Sequence, residues 1–197
     1  MGFMLAAVGV ALTACSSPSA SPSGTTSTRP PGPTTTAPSG TTSTTGAGTT
    51  TTGSSTCQVA QLHMVPQQGS GAAGTIEMSV NLTNQAGTTC TLFGYPGMQL
   101  LDGSGNNLPT NVVRGGGPQF GVPGADQAPT TVVLAPQQTA AFSLSYSDVP
   151  VGTETTCPTS TNALITPPGD FVPATVALAV APCGGGTIHV SPVYATS

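Results

Sequence analysis

The sequence predicts an all-β domain, a two-sheet antiparallel β-sandwich of about seven to nine short strands. Three observations carry this. Apolar and polar residues alternate with period two over several stretches, turn residues punctuate the chain at short intervals, and no window shows a convincing 3.6-residue period. Sandwiches with these features are of immunoglobulin-like type.

Ahead of the sandwich the chain reads differently. Phe3 to Leu12 is a run of about ten apolar residues, too short to span a bilayer and of the right length for the hydrophobic part of a secretion signal. Leu12-Thr13-Ala14-Cys15 then resembles the bacterial lipobox: a branched apolar residue, two small ones and a cysteine. That resemblance implies a signal peptide over 1–14, diacylglyceryl on the Cys15 thiol with acyl chains such as palmitate, and cleavage that leaves Cys15 first. Two or three acyl chains, at about 0.8 kcal/mol per buried methylene, anchor a protein stably where one does not. Met1-Gly2-Phe3 lacks the positive charge of a signal's first region, so an upstream extension containing Lys or Arg is expected.

Residues 15–56 are the lipidated cysteine plus a tether. Of the 41 residues Ser16–Thr56, 15 are Thr, 10 Ser, 6 Pro and 6 Gly, with no Val, Ile, Leu, Met or aromatic residue. Such a segment cannot bury enough surface to offset the entropy of ordering, so it is expected to be disordered. As a flexible coil it spans roughly 35 Å root-mean-square, and fully drawn out about 120 Å. Ser/Thr/Pro tracts are also typical O-glycosylated stalks.

Residues 57–197 are the expected β-sandwich, long enough for one real core. Gly74 to Asn84 alternates cleanly, with Ile76, Met78, Val80 and Leu82 on one face and Thr75, Glu77, Ser79 and Asn81 on the other. Thr139 to Asp148 repeats the pattern, with Ala140, Phe142, Leu144 and Tyr146 inward and Ala141, Ser143, Ser145 and Ser147 outward. Val176, Leu178 and Val180 do so again within 175–181, and Ile188 and Val190 within 187–190. Weaker strands are expected over 58–65, 91–101, 108–113 and 130–134. Tyr95-Pro96-Gly97 suits a type II turn, with a Tyr–Pro bond of the kind that can be cis, and reads as a braced corner.

Four cysteines remain after Cys15, an even number in an exported domain, which reads as two disulfides. Of three pairings, Cys57–Cys90 with Cys157–Cys183 links neighbouring strands without crossing. Neither spacing resembles the C-x-x-C of a zinc site.

The stretch LTNQAGTTCTLFGYPGMQLLDGSGNNL (82–108) is the most specific text in the chain, with VVLAPQQTAAFSLSY (132–146) and a late cysteine pair behind it. It resembles the actinobacterial family filed as domain of unknown function 4232 (DUF4232). The resemblance covers the whole domain and implies an all-β, secreted or lipid-anchored module, common in mycobacteria and streptomycetes, with no assigned activity and no catalytic residues to carry over.

Composition excludes some partners. Residues 57–197 hold no Lys, one Arg (Arg114) and six acids (Glu77, Asp102, Asp126, Asp148, Glu154, Asp170), a net charge of −5. One Arg cannot make the phosphate-neutralising surface nucleic acid requires, nor a basic patch for anionic lipid. No catalytic residue is assigned. The carboxylates sit mostly in turns, no G-x-S-x-G elbow supports a triad using His63 or His189, and the triple glycines 115–117 and 184–186 read as flexible loops without a phosphate cradle's Lys. His63 and Met64, with Met78, Met98 and His189, form a soft ligand set suited to Cu(I). Arg114, in the long loop 114–129, is the candidate for gripping a carboxylate ligand.

These features predict a lipid-anchored module on the outer face of the membrane, in the cell envelope. It is expected to be non-enzymatic and without cofactor, and to bind or support an envelope protein or glycan. The alternatives are an exported copper-binding protein and a small secreted hydrolase.

Overall fold

The computed structural model describes residues 55–115, 121 and 125–196. The signal peptide, Cys15 and the tether up to residue 54 lie outside the described residues, as does much of the loop after Arg114. The β-domain falls in a compact unit spanning 49–197.

Thirteen short strands are described: β1 (Ser55–Thr56), β2 (Leu62–Pro66), β3 (Ser70–Ala72), β4 (Thr75–Asn84), β5 (Cys90–Leu92), β6 (Gly97–Leu101), β7 (Asn111–Arg114), β8 (Val132–Leu134), β9 (Thr139–Ser147), β10 (Asn162–Thr166), β11 (Ala174–Ala177), β12 (Thr187–Val190) and β13 (Tyr194–Ala195). The domain is all-β and sandwich-like. A seven-strand sheet runs β2-β4-β9-β12-β7, with β3 beside β4 and β13 beside β9, and two three-strand sheets run β1-β5-β8 and β11-β10-β6. Strands β1, β3, β10 and β13 were not expected from the periodicity, being too short or too weakly alternating. Ser55–Thr56, just ahead of residue 57, pairs with Cys90–Thr91. Two pairs, β1–β5 and β12–β7, are parallel, a departure from the all-antiparallel plan.

The centre of the large sheet is the β4–β9 pair, in register from Thr75↔Ser147 to Thr83↔Thr139. This register sets Met78 against Leu144, Val80 against Phe142 and Leu82 against Ala140. A slip of one residue would turn all of these to the other face. Val80, Leu82, Phe142, Leu144, Ile188 and Val190 are 0 % exposed, and they join Leu92, Leu134, Leu100 and Ile165 of the two smaller sheets in one core.

Cys57–Cys90 and Cys157–Cys183 are disulfide-bonded, with Cα–Cα distances of 4.9 and 4.7 Å. The first staples the residue after β1 to β5, inside the core. The second joins no strands; it ties the loop after β9 to a glycine turn before β12.

Four other expectations need correction. The segment 91–101 is not one strand: β5 and β6 belong to different sheets, separated by Phe93–Pro96. No described peptide bond is cis, and the positive φ of that corner falls on Gly94 (106°), while Gly97 opens β6 opposite Thr166. The outward row of β9 is not solvated: Ala141, Ser143 and Ser145 are 2 %, 0 % and 2 % exposed. The C-terminal segment folds back beside β9, where the Ser143 N–H donates to Ser191 Oγ at 2.8 Å and the Ser143 hydroxyl meets the Tyr194 hydroxyl at 2.9 Å. Gly184–Gly186 is not a loose loop. Its three glycines have φ of 64°, 69° and 78°, one left-handed turn closed by the Thr187 N–H on the Cys183 carbonyl.

Candidate functional site

The outer face of the large sheet carries most of the unusual chemistry. Strand register aligns Ser70, Glu77, Ser145, His189 and Val113 in one row across five strands. Directly opposed side chains lie about 4.5–5.5 Å apart at Cβ, so the row is a contiguous strip. A cavity of about 170 Å³ lies on one side, lined by Gln68, Ser70, Glu77, Ser79, Gly121 and Ser143. A second, of about 180 Å³, is lined by Thr75, Ser147, Thr187, His189 and Val151, with Cys183 at its wall.

Each polar group has a distinct state. Glu77 accepts the Gly121 N–H on both oxygens, at 2.8 and 3.0 Å. Burial pushes the Tyr194 hydroxyl above the ordinary tyrosine range; its bond to Ser143 opposes this and the Glu77 charge adds to it, so Tyr194 is a neutral hydroxyl at physiological pH. His189 Nδ1 lies 3.2 Å from the Gly115 carbonyl. A carbonyl only accepts, so Nδ1 carries a proton and donates it to Gly115. Ser145, between Glu77 and His189, has a buried hydroxyl with no hydrogen-bond partner among the described residues. It is the cross-strand neighbour of His189, but the two side chains are not hydrogen-bonded.

The expected site residues are spread out. His63 is exposed on β2, opposite Thr83, whereas His189 is on β12, three strands away across the sheet. Thr83 pairs with Thr139 and His189 with Ser145, so the two histidines are also offset by six residues along β9, about 20 Å. Met64 pairs with Leu82 and Met78 with Leu144, and both, like Met98, pack against the core instead of the outer face. The soft ligand set is therefore not brought together. Arg114 is exposed at the end of β7 opposite Val190; strand alternation puts it on the face opposite His189, and it lines neither cavity.

A second constellation, around Glu154, was not expected from the sequence. Glu154 accepts the Gly184 N–H at 2.8 Å and the Gly185 N–H at 3.2 Å. Successive backbone N–H groups of a left-handed turn form an anion-binding nest, here filled by the chain's own carboxylate. The Gly184 N–H foremost, then that of Gly185, holds this carboxyl below its ordinary pKa. Its oxygen and the sulfurs of Cys157 and Cys183 lie within 4.8 Å of one another, but both sulfurs are committed to the disulfide.

Sequence reasoning placed Glu77, Ser143 and Ser145 on one face through period-two alternation, but carried no signal that this face is covered. Tyr194 and Gly121 approach it from remote parts of the chain. The profile of a family described as a domain of unknown function (DUF4232) matches residues 57–194. Neither a curated protein nor a solved structure matches the chain.

Proposed function

The chain belongs to the DUF4232 family, and from that premise we propose that it is a lipid-anchored, non-enzymatic binding module of the cell envelope whose ligand is a neutral, hydroxyl-rich molecule such as an envelope glycan. Lipid anchoring is supported by the Leu12–Cys15 lipobox and the polar tract that follows it. Export is supported by two disulfides, which persist in oxidising compartments; among the described residues no helix is long and apolar enough to cross a membrane.

One observation carries the binding reading. The outer-face cavity gathers the Glu77 carboxylate, the Ser70, Ser79 and Ser143 residues and the Gln68 amide around one concavity with no cationic side chain in its lining. Carboxylate and amide oxygens accept hydrogen bonds from ligand hydroxyls, while serine and amide groups donate to ligand ring oxygens. Such a lining suits a sugar and repels an anion.

Titration with N-acetylglucosamine and glucose oligomers, followed by amide chemical shifts, tests this. Saturable shifts at Glu77, Ser79 and Ser143, weakened in Glu77→Gln, are expected. Absence of binding, or turnover of ester, peptide or glycan substrates, overturns the reading. Mass spectrometry of native material checks the anchor: diacylglyceryl on Cys15 is expected, and an unmodified thiol overturns it.

A further inference from the structure

The segments beside β1 carry an apolar knob that a covalent anchor alone does not explain. Phe171 is 95 % exposed and Val172 57 %, with Phe93 at 60 % and Val133 at 56 %. Bulky apolar residues presented this far into solvent mark interaction surfaces.

The knob is rigidly built. Pro167 and Pro168 are buried, Gly169 has φ of 84°, and the Asp170 N–H donates to the Pro167 carbonyl at 3.1 Å, the pattern of a type II turn. The Asp170 carboxylate then accepts three backbone N–H groups: Val59 at 2.6 Å, Phe171 at 2.7 Å and Val172 at 3.2 Å. The backbone of Phe171 and Val172 is thereby pinned facing outward, so little ordering entropy remains to be lost on docking.

The knob also sits where the tether enters. A Cβ on Gly169 would touch Thr56 of β1, and one on Gly94, next to Phe93, would touch Pro168. Thr56 pairs with Thr91, and Thr91 with Val133. Phe93 follows β5, Val133 stands on β8 opposite Thr91, and Phe171 and Val172 follow the Gly169 turn that meets Thr56, so all four lie in segments neighbouring the strand at which the described domain begins. Cys15 lies 40 residues upstream of Ser55.

We propose that this knob, formed by Phe171, Val172, Phe93 and Val133, inserts into the uncharged interfacial layer of the bilayer to which the lipid holds the chain, docking the domain with its tether end down. The proposal rests on the anchored reading for its biological setting. On that anchored reading, a tether with the roughly 35 Å span expected from its composition would hold the knob near the surface at an effective concentration in the millimolar range, enough for a weak apolar contact to be occupied. Charge selects the same occupant. The Asp170 carboxylate stays ionised with its oxygens taken up by three backbone N–H groups, and no Lys or Arg among the described residues lies there to recognise an anionic headgroup or an acidic protein.

The test uses residues 15–197 carrying Cys15→Ser, so that no acyl chain contributes. Co-sedimentation with phosphatidylcholine vesicles is expected, weakened by added phosphatidylglycerol because residues 57–197 carry a net charge of −5. Phe93→Ser with Phe171→Ser should reduce binding at least about tenfold, with unchanged thermal unfolding because both side chains are exposed. The chain has no Trp, so Phe171→Trp gives a single reporter whose emission should shift blue and be quenched by brominated lipid. Absence of vesicle binding, equal binding by the double serine variant, or a dimer that this variant abolishes overturns the proposal. An unacylated Cys15 in native material would instead remove the anchor and leave the vesicle result standing.

Discussion

Asn84 and Ser145 are buried polar residues on adjacent strands, 0 % and 2 % exposed, and differ in how their polar atoms are satisfied. Asn84 donates to the Thr88 and Leu134 carbonyls at 2.9 and 3.0 Å and accepts the Ala86 N–H at 3.0 Å. It braces the end of β4, the following turn and β8 with one amide, which gives the Leu82-Thr83-Asn84 strand end its physical role. Asn84→Ala orphans these buried groups and should cost about 2–4 kcal/mol. The Ser145 hydroxyl has no partner to lose among the described residues. Ser145→Ala should therefore stay within about 1 kcal/mol of the parent, or stabilise it. Denaturant midpoints measured side by side check both, and a loss at Ser145 as large as that at Asn84 would reveal a partner for its hydroxyl.

Among the elements, the left-handed turn Cys183–Gly186 has the least tolerance for change. A side chain on Gly186 would meet the Pro109 backbone, and its φ of 78° disfavours any L-residue. Gly186→Ala should destabilise the domain by well over the roughly 1–2 kcal/mol that a left-handed residue alone costs, read as a large drop in melting temperature. The same turn sets part of the pH response. Hydrogen bonds from Gly184 and Gly185 hold Glu154 below its unfolded pKa of 4.5, and the Val59 N–H, ahead of those from Val172 and Phe171, holds Asp170 below 3.8. Both contributions are fully present above those unfolded values and are lost as pH falls through the lower folded ones. Stability should thus be flat from neutral pH down to about 5 and then fall. Glu154→Gln should be less stable at pH 7 with a shallower acid limb, as melts across pH 2–7 would show. This device was not legible in the sequence, because Glu154 and Gly184 are separated by 30 residues. The long strands were legible: β4, β9 and β12 fall where period-two alternation puts them, since a strand's own side chains report its two faces.

For the molecule as a whole, the two disulfides differ in access. Cys57 and Cys90 are 0 % exposed, whereas Cys157 is only partly buried. Mild dithiol treatment should open Cys157–Cys183 first, as alkylation and mass spectrometry would show. Closing loops of this size is worth roughly 3.5 kcal/mol each. Loss of one should lower the denaturant midpoint measurably, and loss of both should leave little stability in a domain with so few charges. If Cys57–Cys90 is cut first, the buried placement of that pair is wrong.

By itself the sequence determined the all-β class, the main strands with their alternation, and the presence of two disulfides. Each of these follows from residue type or from spacing along the chain. Tertiary structure decided which strands are neighbours, the division of 90–101 between two sheets, the two parallel pairs and the covering of Ser143 and Ser145 by a returning C-terminus. It also decided that Glu154 fills a glycine nest and that Phe171 stands out beside the start of the domain. Alternation encodes two faces for each strand, whereas what packs on a face is set by hydrogen bonds and contacts between segments far apart in the chain, which no local pattern records.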